Sequence, residues 1–106
     1  MQAELRTLAA NDIDTAVAYC RNEVSPETAF GFIDDVEAAI THLCRHPLTG
    51  SLRFAHEVEV PELRSWPLKK FPYLVFDVPD ADRIDIWRVL HANRDIPAHL
   101  AAEQAG

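Results

Sequence analysis

The segment RIDIWRVLH, residues 83–91, alternates polar and apolar side chains along most of its length, as expected of a β-strand. The segment YLVFDV, residues 73–78, is rich in β-branched and aromatic residues, and PDAD at 79–82 between the two is typical of a hairpin turn. A further strand is predicted from Leu63 to Leu68, upstream of this hairpin. Together the three strands predict an antiparallel meander.

Strict alternation along residues 83–91 predicts two different faces. One face is expected to carry Ile84, Ile86 and Leu90, and the other Asp85, Trp87, Val89 and His91. Arg88 interrupts the first of these faces. Because a charge on an apolar face must find a partner, we expect a structural ion pair there, with Asp95 or a helix C-terminus as the partner.

Two helices are predicted upstream of the meander. The first runs from about Asp12 to Glu23, with Asn11 or Asp12 as its N-cap, because apolar residues recur there at helical spacing. The second begins at SPE, residues 25–27, and ends near Arg45. Their short connection predicts a helical hairpin.

Two shorter elements complete the predicted order. Alternation from Glu4 to Leu8 indicates a short first strand. After the meander, Asp95 is expected to cap a short last helix that includes Ala98 to Glu103.

The size and composition of the chain predict a single domain, residues 1–106. A chain of 106 residues with 48% hydrophobic and 25% charged residues fits one globular unit. No apolar run approaches the ~20 residues that span a bilayer, and the N-terminus lacks a basic signal-peptide start, so we expect a cytoplasmic protein without membrane contact. Cys20 and Cys44 are expected to be free thiols, since disulfides are rare in the cytosol.

The charge of the chain is unevenly distributed. The net charge is −7, which argues against a free-standing nucleic-acid-binding protein. Residues 1–62 contain four basic and eleven acidic residues, whereas residues 63–96 contain six basic and five acidic residues. The positive potential is therefore concentrated in the strand-rich second half.

The order of elements and several short motifs resemble the ParE toxins, which belong to the RelE/ParE superfamily of type II toxin–antitoxin systems. The motifs that carry the resemblance are LRSWPL at 63–68, FPY at 71–73, RVLHANRD at 88–95, the first-helix stretch 14–19 and HPLTG at 46–50. The likeness runs from about Ala10 to Leu100. It implies an α+β fold of RelE/ParE type, with an N-terminal helical hairpin packed on a small antiparallel sheet and a short C-terminal helix.

The resemblance also implies partners and an activity. A ParD-like antitoxin with a ribbon-helix-helix domain would neutralise the toxin and would connect it, indirectly, to operator DNA. ParE-type toxins are associated with poisoning of DNA gyrase, whereas RelE-type relatives cut messenger RNA on the ribosome, and a shared fold does not choose between the two. A third alternative is an attenuated member that retains only antitoxin binding.

Eight residues are candidates for binding the antitoxin or the target. They are Arg64, Trp66, Lys69, Lys70, Arg83, Arg88, His91 and Arg94. A ribonuclease would need a dense cluster of cationic and acid–base groups, for which His91, Arg64, Lys69, Arg83 and Arg88 supply the residue types. No such cluster is evident, so we expect binding rather than catalysis, with no catalytic residue and no cofactor.

Two other features bear on activity. His42 and His46 have a spacing that a metal can use, but no third or fourth ligand is evident, so no metal site is predicted. Asp77, Asn93 and His99 depart from the ParE pattern, which favours an aromatic residue, an arginine and a bulky apolar residue at these positions. This departure suggests the hypothesis of an attenuated toxin, in which Asp77→Tyr with Asn93→Arg would restore growth arrest.

Overall fold

The computed structural model describes residues 1–105 and contains three helices and four strands within them. The elements are β1 (Gln2–Leu5), α1 (Thr7–Glu23), α2 (Pro26–Arg45), β2 (Arg64–Pro67), β3 (Tyr73–Pro79), β4 (Arg83–His91) and α3 (Ile96–Ala105). The predicted α+β architecture is confirmed. Among these residues, no helix is both long enough and apolar enough to cross a bilayer.

The four strands form one sheet in the order β1-β4-β3-β2. β4 pairs antiparallel with β3, and β3 pairs antiparallel with β2, so the predicted meander is confirmed. β1 lies at one edge and pairs parallel with β4. The predicted position of the first strand, Glu4 to Leu8, is wrong at both ends, because β1 begins at Gln2 and α1 already begins at Thr7.

A β-bulge in β4 changes the faces of the sheet. Phe76 pairs with Arg88, whereas the next residue, Asp77, pairs with Ile86, so Trp87 is an extra residue in β4. The alternation of side chains between the two faces of the sheet therefore restarts after Trp87.

The predicted division of β4 into two faces is wrong for this reason. Val89 packs in the same core cluster as Ile84 and Ile86, and Leu90 packs with Trp87 in a different cluster. A strict period of two cannot anticipate a bulge, because one inserted residue reverses the direction of every side chain that follows it.

Each face of the sheet is covered by its own apolar cluster. On one face, the α1–α2 hairpin packs against the sheet through buried residues that include Ala16, Phe32, Leu43, Val75 and Ile86. On the other face, the segment 52–63 and α3 cover the sheet, through residues that include Phe54, Leu63, Phe76, Leu90 and Leu100. Both faces of this small sheet therefore contribute buried side chains to a core.

The N-cap residues agree with the sequence-based prediction for two of the three helices. Ser25 caps α2, because its Oγ accepts a hydrogen bond from the Thr28 amide at 3.0 Å. Asp95 caps α3 through a longer hydrogen bond of 3.4 Å from the Ala98 amide. The predicted N-cap at Asn11 or Asp12 is wrong, because α1 begins one turn earlier and Asp12 binds another part of the chain. Cys20 and Cys44 are free thiols, as expected.

Candidate functional site

The eight predicted site residues lie in three different places. Around β2 and the β2–β3 hairpin are Arg64, Trp66, Lys69 and Lys70. At the C-terminal end of β4 are Arg88, His91 and Arg94, and Arg83 lies at the opposite end of the same strand. Because β4 rises about 3.3 Å per residue, Arg83 and His91 are roughly 26 Å apart along it.

The first group lies beside the C-terminal end of α2 and forms what we call the basic–aromatic surface. A shallow cleft there is lined by His42, Arg45, His46, Trp66 and Lys69, and we include in the surface Arg64, two residues before Trp66 on β2, and Lys70, which follows Lys69. At its centre the rings of His42 and Trp66 are stacked, with centroids 4.5 Å apart and an interplanar angle of 11°. The His42 Nε2 atom also lies 3.2 Å from the Thr49 hydroxyl, so the ring is held from two sides.

Asp35, a residue that the sequence analysis did not identify, positions the backbone of the two lysines of this surface. Asp35 lies on α2, is buried, and its carboxylate accepts hydrogen bonds from the backbone amides of Lys69, Lys70 and Phe71 at 3.2, 2.8 and 3.2 Å. The hairpin backbone is therefore fixed to α2 while both lysine side chains remain exposed. The sequence did contain a signal for Asp35: it is an acid that lies between the apolar positions of α2, and a buried charge needs polar partners.

Arg64 is held by the loop that follows α2. Its Nη1 atom donates to the carbonyl oxygens of Leu48 and Gly50 at 3.1 and 2.8 Å. Gly50 is required for this close approach, because a Cβ atom on it would lie 2.8 Å from the Cβ of Arg64. Part of the donor capacity of Arg64 is therefore used within the chain.

Asp77 lies in β3, paired in register with Arg64 on one side and Ile86 on the other. Its side chain is fully buried, and within the described residues neither carboxyl oxygen has a hydrogen-bond partner. Burial, reinforced by the nearby Asp85 and opposed by Arg64, raises the pKa of Asp77 from its ordinary value of 3.8 to about 7. This carboxyl group is therefore mostly protonated in mildly acidic solution.

Arg88 is structural, as predicted, but its predicted partner is wrong. Its Nε and Nη2 atoms bind both carboxylate oxygens of Asp12 at 2.7 and 2.8 Å, and its Nη1 atom donates to the His99 carbonyl at 2.9 Å. β1 pairs with β4 only as far as Ile86, so the edge of β4 beyond that point is open to α1, where Asp12 lies. Asp95 caps α3 instead.

Arg83 is also paired. It binds Glu4 at 3.0 Å and Asp80 at 3.7 Å, at the β1 edge of the sheet. The residues considered for a ribonuclease are therefore not gathered into one site. Arg83 and Arg88 have carboxylate partners, Arg64 binds a loop, and only Arg88 and His91 line a common cleft.

The chain matches the family model described as the ParE toxin of the type II toxin–antitoxin system parDE, over residues 3–96. The chain belongs to the ParE toxin family. A ParE-family toxin is one component of a type II toxin–antitoxin system, and this membership implies a ParD-type antitoxin as its partner.

The fold of this ParE-family chain is similar to that of a solved structure described as a chromosomal ParDE toxin–antitoxin system from P. aeruginosa. The two chains are 22% identical, and the match covers 86% of this chain and 95% of the other with a TM-score of 0.70. This likeness supports the fold assignment. No curated protein matches the chain.

Proposed function

We propose that this ParE-family toxin inhibits DNA gyrase by binding to it through the basic–aromatic surface. The observation that supports this proposal is a set of three exposed cations, Arg45, Lys69 and Lys70, around the stacked Trp66. Among the side chains described in residues 1–101, none of the three forms an ion pair with a carboxylate. In a chain with a net charge of −7, unpaired cations concentrated beside an aromatic side chain favour an interaction surface.

The same surface serves as part of the region that the antitoxin covers, so that binding of the ParD-like antitoxin and of gyrase exclude each other. The antitoxin contributes the ribbon-helix-helix domain, and the toxin reaches operator DNA only through it. All three components act in the cytoplasm.

Binding is favoured over ribonuclease activity because the candidate ribonuclease residues are dispersed. General acid–base catalysis requires groups within hydrogen-bond reach of the same reacting atoms. Arg83 lies at the other end of β4 from His91 and is engaged by Glu4, and the guanidinium of Arg88 is engaged by Asp12. A role for Arg83 and Arg88 in stabilising a phosphate would require both ion pairs to break.

A supercoiling assay with purified gyrase and the full chain tests the proposal. We expect inhibition by the wild-type protein, and at least tenfold weaker inhibition by Lys69→Gln with Lys70→Gln. The matched control is Arg21→Gln, which removes an exposed charge from α1. Full supercoiling at a large excess of wild-type toxin would exclude gyrase as the target, and cleaved transcripts in treated cells would support the ribonuclease alternative.

The attenuated alternative is favoured by one observation, the buried carboxyl of Asp77 without a hydrogen-bond partner among the described residues. Growth on expression separates it from an active toxin. An attenuated toxin leaves growth unaffected and still co-purifies with the protein encoded by the adjacent reading frame, and Asp77→Tyr with Asn93→Arg then restores arrest. Growth arrest by the wild-type chain contradicts attenuation.

A further inference from the structure

A second cleft lies between α1, the C-terminal end of β4 and α3, apart from the basic–aromatic surface. Its volume is about 500 Å³, which is within the usual range for small-molecule sites. The side chains that matter for its chemistry come from five different parts of the chain: Tyr19, Tyr73, His91, Arg94 and His99. The proposed gyrase-binding surface does not include this cleft.

The described side chains that line the cleft contribute no free negative charge. Among the described residues that form its walls, Asp12 is the only acid. Both of its oxygens are engaged by the guanidinium of Arg88, and Oδ2 also accepts the Val89 amide at 3.0 Å. The Asp12–Arg88 pair is therefore a neutral and fixed part of the wall.

Arg94 supplies an uncompensated positive charge. Its side chain is exposed, and none of the carboxylates described in residues 1–101 forms an ion pair with it. Its charge is felt by the Tyr73 hydroxyl, because burial raises the pKa of Tyr73 while Arg94 acts in the opposite direction. Tyr73 keeps its proton at neutral pH and so remains a hydrogen-bond donor.

His91 supplies a hydrogen-bond donor, because its hydrogen bonding assigns the tautomer of the neutral ring. Its Nδ1 atom accepts a hydrogen bond from the Asn93 amide at 3.1 Å, so the neutral ring carries its proton on Nε2. The ring packs edge-to-face against Tyr73, with centroids 5.1 Å apart and an angle of 71°. The orientation of this donor is therefore set by both a hydrogen bond and a ring contact.

We propose that this cleft binds a phosphate monoester, with its phosphate at Arg94, His91 and Tyr73. The guanidinium of Arg94 can pair with two phosphate oxygens. His91 and Tyr73 are donors from separate elements and suit the third oxygen of a phosphate, which a planar carboxylate does not have. A phosphate fills only part of the volume. Tyr19, which is 62% exposed at the rim, is placed to contact the organic group of the ester.

Titrations of the ¹⁵N-labelled full chain at constant ionic strength test this site. The probes are inorganic phosphate, adenosine 5′-monophosphate and adenosine, followed in two-dimensional NMR spectra. We expect the Asn93 amide and the Arg94 side chain to respond to both phosphate compounds, the Tyr19 amide to respond to the monophosphate, and adenosine alone to cause no change.

Three variants make the test specific. Arg94→Gln is expected to weaken binding of the monophosphate at least tenfold, and Tyr73→Phe, which keeps the ring contacts, several-fold. Arg45→Gln on the basic–aromatic surface should leave the affinity unchanged. Equal binding by the wild type and Arg94→Gln, equal responses to acetate and phosphate, or binding of adenosine as tight as that of its monophosphate would each overturn the proposal.

Discussion

Asp12 and Arg88, which are 76 positions apart in the sequence, form a two-bond ion pair with distances of 2.7 and 2.8 Å. The Asp12 carboxylate also accepts the Val89 amide, which lies beyond the point where β1 stops pairing with β4. The Asp12 side chain on α1 thus accepts a hydrogen bond from the edge of β4 where no strand is paired with it.

Replacement of Asp12 by alanine should destabilise the protein strongly. The buried guanidinium of Arg88 would lose its charge partner, and breaking such a pair costs about 3–5 kcal/mol. Chemical denaturation would measure the loss. Asp14→Ala on the same helix removes an exposed acid and should change the free energy of unfolding by less than about 0.5 kcal/mol. Similar losses in the two variants would show that the pair has no special role.

Asp77 should make the stability of the protein fall as the pH rises. Its pKa is about 7 in the folded state and 3.8 ordinarily, so the folded chain holds this proton more tightly than the unfolded chain. Between pH 4 and 7 the group then lowers the free energy of unfolding by up to about 1.4 kcal/mol per pH unit, and the effect levels off above pH 7.

Asp77→Asn isolates this effect from the other carboxyl groups. The free energy of unfolding of the variant minus that of the wild type should grow by about 4 kcal/mol in total between pH 4 and 7. Asp82→Asn, at an exposed position in the β3–β4 turn, is the matched control. A flat difference for Asp77→Asn would mean that the carboxyl is ionised in the folded protein.

Asp35→Ala should loosen the β2–β3 hairpin. Three backbone amides would lose a charged acceptor, and a hydrogen bond to a charged group contributes about 1.5–3 kcal/mol. We expect a loss of several kcal/mol in total, with faster hydrogen exchange at the amides of Lys69, Lys70 and Phe71. Asp34→Ala, the exposed neighbour on α2, is the matched control. Unchanged exchange at the three amides would contradict the anchoring role of Asp35.

Two glycines should respond to alanine in opposite ways. At Gly50 the new Cβ would lie 2.8 Å from the Cβ of Arg64 and 3.1 Å from the Ser65 carbonyl oxygen, so Gly50→Ala should cost about 1–3 kcal/mol. At Gly31 in α2 the nearest atoms, in the ring of Phe71, are 3.9 Å away, and Gly31→Ala should stabilise the helix by up to about 1 kcal/mol. Thermal unfolding of the two variants measures both effects, and a stabilising Gly50→Ala would contradict the close packing of this loop.

Much of the fold was predictable from local sequence. The bounds of β4, the start of α2 at Pro26 and the capping role of Asp95 follow from alternation, proline placement and capping chemistry, which act over a few residues. The position of β1 and the start of α1 were harder to predict from the sequence. Gln2–Leu5 becomes a strand through pairing with β4, which lies some eighty residues later in the chain.

The candidate sites were only partly predictable. Residue type and charge distribution singled out Arg64, Trp66, Lys69 and Lys70, which are close in sequence, and their role in binding stays a prediction. The partners contributed by the helices, Asp35 and His42, were missed as parts of this surface, because their proximity to the β2–β3 hairpin arises from the packing of α2.

The sequence by itself determined the order of the elements, the resemblance to the ParE toxins and the structural role of Arg88, because periodicity, short motifs and the cost of an unpaired charge can all be read along the chain. Only the tertiary structure decided which residues meet. The bulge at Trp87 reversed the faces of β4, the early end of β1 gave Arg88 its partner Asp12, and the packing of α1 and α3 around His91 and Arg94 created the cleft. These outcomes depend on strand register and on contacts between distant segments, which local propensities do not encode.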